Sequence, residues 1–284
     1  MIDLHLHTNM SDGSDTPLEL LEKVEAAGCK VFSVTDHDDL RANAVILSAM
    51  KEKKYAAKFI TGCEISSVFE GRNLHLLCYG FDPNEKRIKE MIAEGARLRR
   101  QRITAMFEHL RIKHNVVISD EAIAKILSRP IPGKVHISDE ILKMGLGLTR
   151  GEIFRNLLDD MESREFKIGA EKVIEAVAES GGYVSFAHPV EVQKEYGVDE
   201  IFITDMVRRL SDRGLCGIEV YHSAHGKPQV EAYAEIASKF GLLVSGGSDY
   251  HGENKDGVRI GKLNNYGYLP DDEQITICDR LIGG

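Results

Sequence analysis

The chain has 284 residues, with 36 Lys and Arg against 45 Asp and Glu, a formal net charge of −9. That balance excludes a protein that grips long duplex nucleic acid over its whole surface, because phosphate contacts need clustered cations. With 43% hydrophobic residues, 29% charged residues and only 7 Pro, the composition is that of a folded α/β enzyme or binding domain, long enough for one main domain with an insertion.

The first element, in MIDLHLHTNMSD, reads as a strand. Alternation puts His5 and His7 on one face and Leu4 and Leu6 on the other. Two imidazoles on one face, with Asp12 five residues beyond, point to a metal site rather than to a pair of hydrogen-bonded core histidines. This start lacks the basic and apolar regions of a signal peptide, and no apolar run nears the ~18 residues of a membrane helix. The expectation is a soluble cytoplasmic protein with no membrane partner. Five cysteines, odd in number and without a CxxC pair, read as reduced core residues.

A helix over PLELLEKVEAAG, a strand over KVFSVTD, a helix through roughly 40–53 and strands over KFITGCEIS and NLHLLCYGF follow in turn. Residues 85–168 then read as helical throughout, with Ser119 before acidic residues and Thr149 three residues before Glu152 as capping signals. From 169 the earlier rhythm returns through AEKVIEAVAESG, YVSFAHP, ITDMVRRLSDRG, GIEVYHS, QVEAYAEIASKFG and LLVSGGSDYH, with Gly28, Gly181, Gly214 and Gly241 ending helices. The pattern predicts one α/β domain formed by 1–84 and 169–284, its sheet largely parallel and either open or closed into a barrel. Residues 85–168 form a helical insertion in it.

Polar residues gather where strands end. His7 ends the first strand, Asp36 and His37 follow the second, Glu64 is late in FITGCEIS, and His75 lies in NLHLLCYG. His188, His222, Asp249 and His251 follow the later strands. In a parallel sheet those ends share the face where active sites form. His109 and His114, in the insertion, read as ordinary helix residues, and Asp36 as either an acceptor orienting a ligand imidazole or a strand-end cap.

In order and spacing, DLHLHTNMSDG, VTDHDDL, GCEIS, HLLCYG, FAHP, EVYHS and GSDYHG resemble the metal-binding motifs of the polymerase-and-histidinol-phosphatase (PHP) superfamily. The resemblance runs from residue 2 to about 262. It is strongest to the phosphoesterases of the nucleoside 3',5'-bisphosphate phosphatase and 5'-to-3' exoribonuclease group. It implies a distorted, TIM-like (β/α)7 barrel with up to three divalent metals at the carboxyl ends of the strands, and an insertion shaping the substrate pocket. By the family pattern, His5, His7, Glu64 and Asp249 hold one metal. Glu64, His75 and His188 hold a second, with Glu64 bridging, and Asp12, His37 and His251 hold a third. So many imidazoles suit Mn, Fe or Zn and argue against Mg alone.

The reaction implied is hydrolysis of a nucleotide phosphomonoester by a metal-held hydroxide. A plausible target is the 3'-phosphate of a nucleoside 3',5'-bisphosphate, with short 5'-phosphorylated RNA as a further substrate. No GxSxG elbow, Cys-His constellation or Walker lysine competes with that chemistry. His222, outside the ligand sets, is the candidate to bind the scissile phosphate or protonate the leaving group. Lys134 and His136 stand where the family has Arg and His at a helix start, and are assigned to substrate binding. A further basic run, nine Lys and Arg against three Glu over residues 86–113, reads as a solvated helix face or as a means of steering short RNA. Histidinol-phosphate phosphatase is the alternative enzyme, and a binding or structural module that has lost catalysis is the alternative of another class.

Overall fold

The computed structural model describes residues 1–283. It opens on β1 (Ile2–Leu6), buried along its whole length. A capping box between Thr16 and Glu19, with Pro17 at the first helical position, starts α1 (Pro17–Ala26). Then come β2 (Val31–Val34), α2 (Arg41–Glu52), β3 (Lys58–Phe69) and β4 (Arg72–Tyr79). β1, β2 and β3 are parallel neighbours. Leu6, Leu20, Leu21, Phe32, Val34 and Ile46 make a dry layer between these strands and the first two helices.

β4, the strand over NLHLLCYGF, runs against the largely parallel sheet. Glu70 and Gly71 both have positive φ, 46° and 75°, and form a two-residue hairpin that sends β4 back antiparallel to β3. β4 therefore reaches the rim used by the carboxyl end of β3 with its amino-terminal half, and that half carries His75.

The helices that follow are α3 (Lys86–His114), α4 (Asp120–Leu127), α5 (Lys134–Lys143) and α6 (Arg150–Ile153), the last running into a π-helical turn at Phe154–Leu158. Ser119 and Thr149 cap α4 and α6 as their sequence signals require. These helices enclose a core of their own, with Ile103, Met106, Leu110, Ile137, Ile153 and Leu158 at its centre.

A two-residue strand absent from the sequence reading, β5 (Ile168–Gly169), pairs with β3 and leads into α7 (Ala170–Glu179). β6 (Tyr183–Phe186), α8 (Pro189–Tyr196), α9 (Glu200–Ser211), β7 (Gly217–His222), α10 (Lys227–Phe240), β8 (Leu243–Gly247) and α11 (Ile277–Ile282) complete the chain. The sheet runs β1-β2-β3-β4-β6-β7-β8. It nearly closes where the Asp249 amide donates to His5 O at 2.8 Å and the His7 amide to Tyr250 O at 2.9 Å. Closure requires glycine at 247, because a Cβ there would stand 2.2 Å from His5 Cβ. The result is a TIM-like α/β barrel. No helix among the described residues is long and apolar enough to cross a membrane.

Candidate metal centre and substrate cavity

Seven segments deliver the polar cluster to one rim. β1 supplies His5 and, just past its end, His7, the turn that follows Asp12, the exit of β2 His37, β3 Glu64, and the antiparallel β4 His75. His188 follows β6, while Asp249 and His251 follow β8. Three residues here hold left-handed backbone that non-glycine residues rarely adopt: Asp38 (φ 49°), His188 (φ 26°) and Asp249 (φ 57°). Strain of this kind persists where the surroundings over-determine a side-chain position.

Glu64 lies at the centre, 1% exposed. Its Oε1 is 2.8 Å from both His75 Nδ1 and His188 Nε2. Its Oε2 faces the Nε2 atoms of His5 and His7 at 3.3 and 3.2 Å, and His37 Nδ1 at 3.1 Å. Asp249 Oδ1 lies 3.5 and 3.2 Å from the same His5 and His7 nitrogens. On the outer side, the Asp12 carboxylate faces His37 Nε2 at 3.6 Å and His251 Nε2 at 3.3 Å. Burial acts to raise the Glu64 pKa, yet His37, His75 and His5 hold it well below the carboxylate range.

Divalent metal ions fit this donor set. Both ring nitrogens of His7, together with His37 Nδ1 and His188 Nδ1, are buried without a hydrogen-bond partner, a costly state for a polar atom unless something else takes the lone pair. Other rings are oriented from behind. His5 Nδ1 donates to Glu219 Oε1 at 2.9 Å and His251 Nδ1 to Asp249 O at 2.9 Å, which leaves each Nε2 lone pair turned toward the carboxylates.

Glu219 was not singled out by sequence. It is fully buried in the middle of β7, and its second oxygen accepts the His188 amide at 2.7 Å. The available signal was a carboxylate inside the otherwise apolar GIEVY. Asp3 was also passed over. It accepts the amides of Ser248 and Gly261 and so ties β1 to the segment after β8, its pKa raised by burial to about 6. Asp36 does not orient an imidazole: it accepts from the Thr8 amide and from the Thr8 and Ser11 hydroxyls, which fixes the turn carrying Asp12. Lys255 caps Asp249 with an ion pair.

His222 is buried at the end of β7, with Nε2 3.2 Å from Asp249 Oδ2. Its Nδ1 accepts the Ala224 amide at 3.1 Å, so the proton of the neutral ring sits on Nε2 and points into the cluster. A ring in that tautomer is a donor, not a ligand, at Nε2.

A cavity of about 1170 Å³ opens beside the cluster. Asp12, His37 and His75 form its floor, and Lys134 and His136 from the start of α5 lie in its wall. Lys134 Nζ pairs with Asp159 at 2.7 Å. His136 Nδ1 accepts the Gly133 amide at 3.0 Å, and burial followed by Arg129 lowers its pKa. His109 and His114 stay apart from the centre, both on Asp160.

A profile of the PHP domain matches residues 3–188. The chain belongs to the PHP domain family. Three curated relatives agree with that membership. A 5'-3' exoribonuclease of Haemophilus influenzae is 26% identical over 252 residues, covering 88% of this chain and 89% of the relative. A phosphoribosyl 1,2-cyclic phosphate 1,2-diphosphodiesterase of Eggerthella lenta is 26% identical, covering 88% and 94%. A 3',5'-nucleoside bisphosphate phosphatase of Chromobacterium violaceum is 25% identical, covering 92% and 90%. Among solved structures, a Bifidobacterium adolescentis protein assigned as a metal-dependent phosphoesterase superposes with a TM-score of 0.80 at 27% identity, over 100% of this chain and 98% of the other. A Chromobacterium violaceum protein described as an amidohydrolase shares the fold, with a TM-score of 0.76 at 24% identity over 89% and 88% of the two chains. This PHP protein is an enzyme, a metal-dependent phosphoric ester hydrolase.

Proposed function

We propose that this PHP enzyme removes the 3'-phosphate of nucleoside 3',5'-bisphosphates and also shortens 5'-phosphorylated oligoribonucleotides. The observation that carries the reading is the buried Glu64 carboxylate, met by five imidazole nitrogens within 3.3 Å, beside a cavity whose wall includes Arg99, Arg102, Lys134 and Lys167. The three curated relatives are named for action on RNA, on a phosphoribosyl cyclic phosphate and on a nucleoside bisphosphate, which are all phosphorylated ribose compounds.

In this reading His5, His7, Glu64 and Asp249 hold one ion, Glu64, His75 and His188 a second, and Asp12, His37 and His251 a third. The histidine-rich set favours Mn, Fe or Zn. Divalent ions bound there supply Lewis acidity, lowering the pKa of a coordinated water to about 7 and offsetting charge on the phosphoryl oxygens. Glu219 and the Asp249 carbonyl hold the His5 and His251 rings in the tautomer a ligand needs. His222 offers its Nε2 proton to the scissile phosphate or the leaving oxygen, and Lys134 and His136 contact the substrate from α5. Residues 85–168 act as the subdomain that shapes the pocket. Five free cysteines favour a reducing compartment, and the enzyme is assigned to the cytoplasm.

A phosphate-release screen of the Mn-loaded protein tests the substrate. It compares adenosine 3',5'-bisphosphate with nucleoside monophosphates, histidinol phosphate, phosphoribosyl 1,2-cyclic phosphate and short 5'-phosphorylated RNA. The bisphosphate should give the highest kcat/KM. A clear preference for histidinol phosphate or the cyclic ester would replace this reading.

A further inference from the structure

Most cations of α3 are paired: Arg87 with Glu179, Arg111 with Glu108 and Arg99 with Asp38, while Arg100 donates to the carbonyls that end α4 and follow it. Arg102 is buried with its Nε unpartnered. The last turns of the helix gather a different set. His109 Nε2 lies 2.7 Å from Asp160 Oδ1 and His114 Nε2 3.0 Å from Asp160 Oδ2, and Lys113 Nζ reaches the same Oδ2 at 2.8 Å. The two rings meet edge to face, their centroids 5.3 Å apart. The His109 and His114 side chains are only 17% and 15% exposed and that of Asp160 28%, so the donor atoms are sheltered yet within reach of solvent.

One carboxylate does not need three basic groups. The Lys113 ammonium alone balances its charge, and with the ring proton on Nδ1 each imidazole turns an Nε2 lone pair toward the same point. The three ligand atoms, one from each of His109, His114 and Asp160, all lie within 4.8 Å of one another. Zinc bonds of about 2.0–2.2 Å set the ligand atoms of a tetrahedron roughly 3.3 Å apart, so side-chain adjustment suffices to close this trio around an ion. The backbone holds both halves in place. Asn115, in left-handed conformation (φ 53°), ends α3 directly after His114, and the π-helical turn at Phe154–Leu158 leads into Asp160. Asp159 pairs with Lys134, and Asp159, Asp160 and Met161 all line the cavity, so an ion here joins the end of α3 to the cavity wall.

We propose that His109, His114 and Asp160 form a zinc site of the helical insertion, separate from the barrel rim, which staples the end of α3 to the segment that walls the cavity. It shares no ligand with the rim and does not depend on the reaction there. Two imidazoles and a carboxylate are a zinc donor set, with water in the fourth position. Lys113 is the competitor: it holds Asp160 when no ion is bound and, being 54% exposed, can swing into solvent when one arrives. The staple is therefore a reversible one, set by the concentration of free zinc.

The test is elemental analysis of the full-length protein equilibrated with buffered free zinc, for wild type, His114→Ala and Asp160→Asn. Each variant should hold one zinc fewer than wild type with its circular dichroism spectrum retained, and because the rim ligands are unchanged the difference counts this site alone. Competition with a chromophoric chelator should show His109→Ala weakening the site by more than about 10-fold, the least expected when even an outer partner of a ligand costs 10- to 100-fold. Lys113→Met should tighten it by about two- to five-fold, the equivalent of a surface ion pair. Zinc should also slow amide hydrogen exchange over residues 154–163 in wild type and not in His114→Ala. Asp160→Asn, which keeps the side-chain shape, carries the test where an alanine variant does not fold. Equal zinc content in wild type and the folded ligand variants, or weaker zinc binding in Lys113→Met, overturns the proposal.

Discussion

Glu219 meets the cluster from behind, accepting hydrogen bonds from His5 Nδ1 and from the His188 amide, so that one carboxylate fixes two imidazoles. Glu219→Gln keeps the shape but loses the charge and one acceptor. It is expected to lower metal affinity by about 10- to 100-fold, as for other groups that orient metal ligands, with the circular dichroism spectrum retained. Metal titration with a chromophoric competitor checks this, and wild-type affinity would remove Glu219 from the orienting role. His222 differs because its Nδ1 is already occupied by the Ala224 amide. His222→Ala should keep its metal while losing about 10²- to 10⁴-fold in rate. A smaller loss on p-nitrophenyl phosphate, whose phenolate leaves without a proton, marks an acid, and an equal loss marks a phosphate contact. A metal-depleted variant contradicts its place outside the ligand sets.

Elements decide how much of this could be read in advance. Period-2 alternation in IDLHLH and the clustering of His, Asp and Glu at strand exits made the rim residues legible, because strand direction and side-chain period are local properties. The hairpin at Glu70 and Gly71 was not legible, since positive φ at a glutamate has no composition signal; the antiparallel direction of β4 therefore went unread, although it is what brings His75 to the rim. Glu219 escaped for a related reason: a carboxylate inside a buried strand acquires meaning only from β1 and the start of α8, both distant in sequence. The basic run of α3 resolves the same way, into mostly paired residues and one buried guanidinium, because partners on α7, α4 and the segment after α6 are set by tertiary packing. Contact between β8 and β1 depends on Gly247, where a Cβ would collide with His5. Gly247→Ala should cost about 1–3 kcal/mol, as overpacking of a filled interior does, and should weaken metal binding because His5 must shift. Denaturant unfolding and metal analysis check both effects, and an unperturbed variant would mean that the closure is looser than described.

At the scale of the molecule, the barrel and the helical layer divide the work. The barrel gathers nine His, Asp and Glu side chains on one rim, and α3 and α5 stand over that rim with Arg99, Arg102, Lys134 and His136 in the cavity wall. The chain as a whole carries a net charge of −9, while Arg99, Arg102, Lys134 and Lys167 bring cations into the wall of this cavity. The whole arrangement turns on Glu64, the one side chain that faces imidazoles from both sides of the cluster. The most direct measurement is metal content and phosphate release from adenosine 3',5'-bisphosphate, followed together through chelation and Mn re-addition, for wild type and Glu64→Gln. Wild type should lose activity with its metal and regain it on re-addition, while folded Glu64→Gln should bind less metal than any variant of a non-bridging ligand and stay inactive when Mn is restored. Undiminished phosphate release from the chelated protein, or full metal content and activity in Glu64→Gln, would contradict the account.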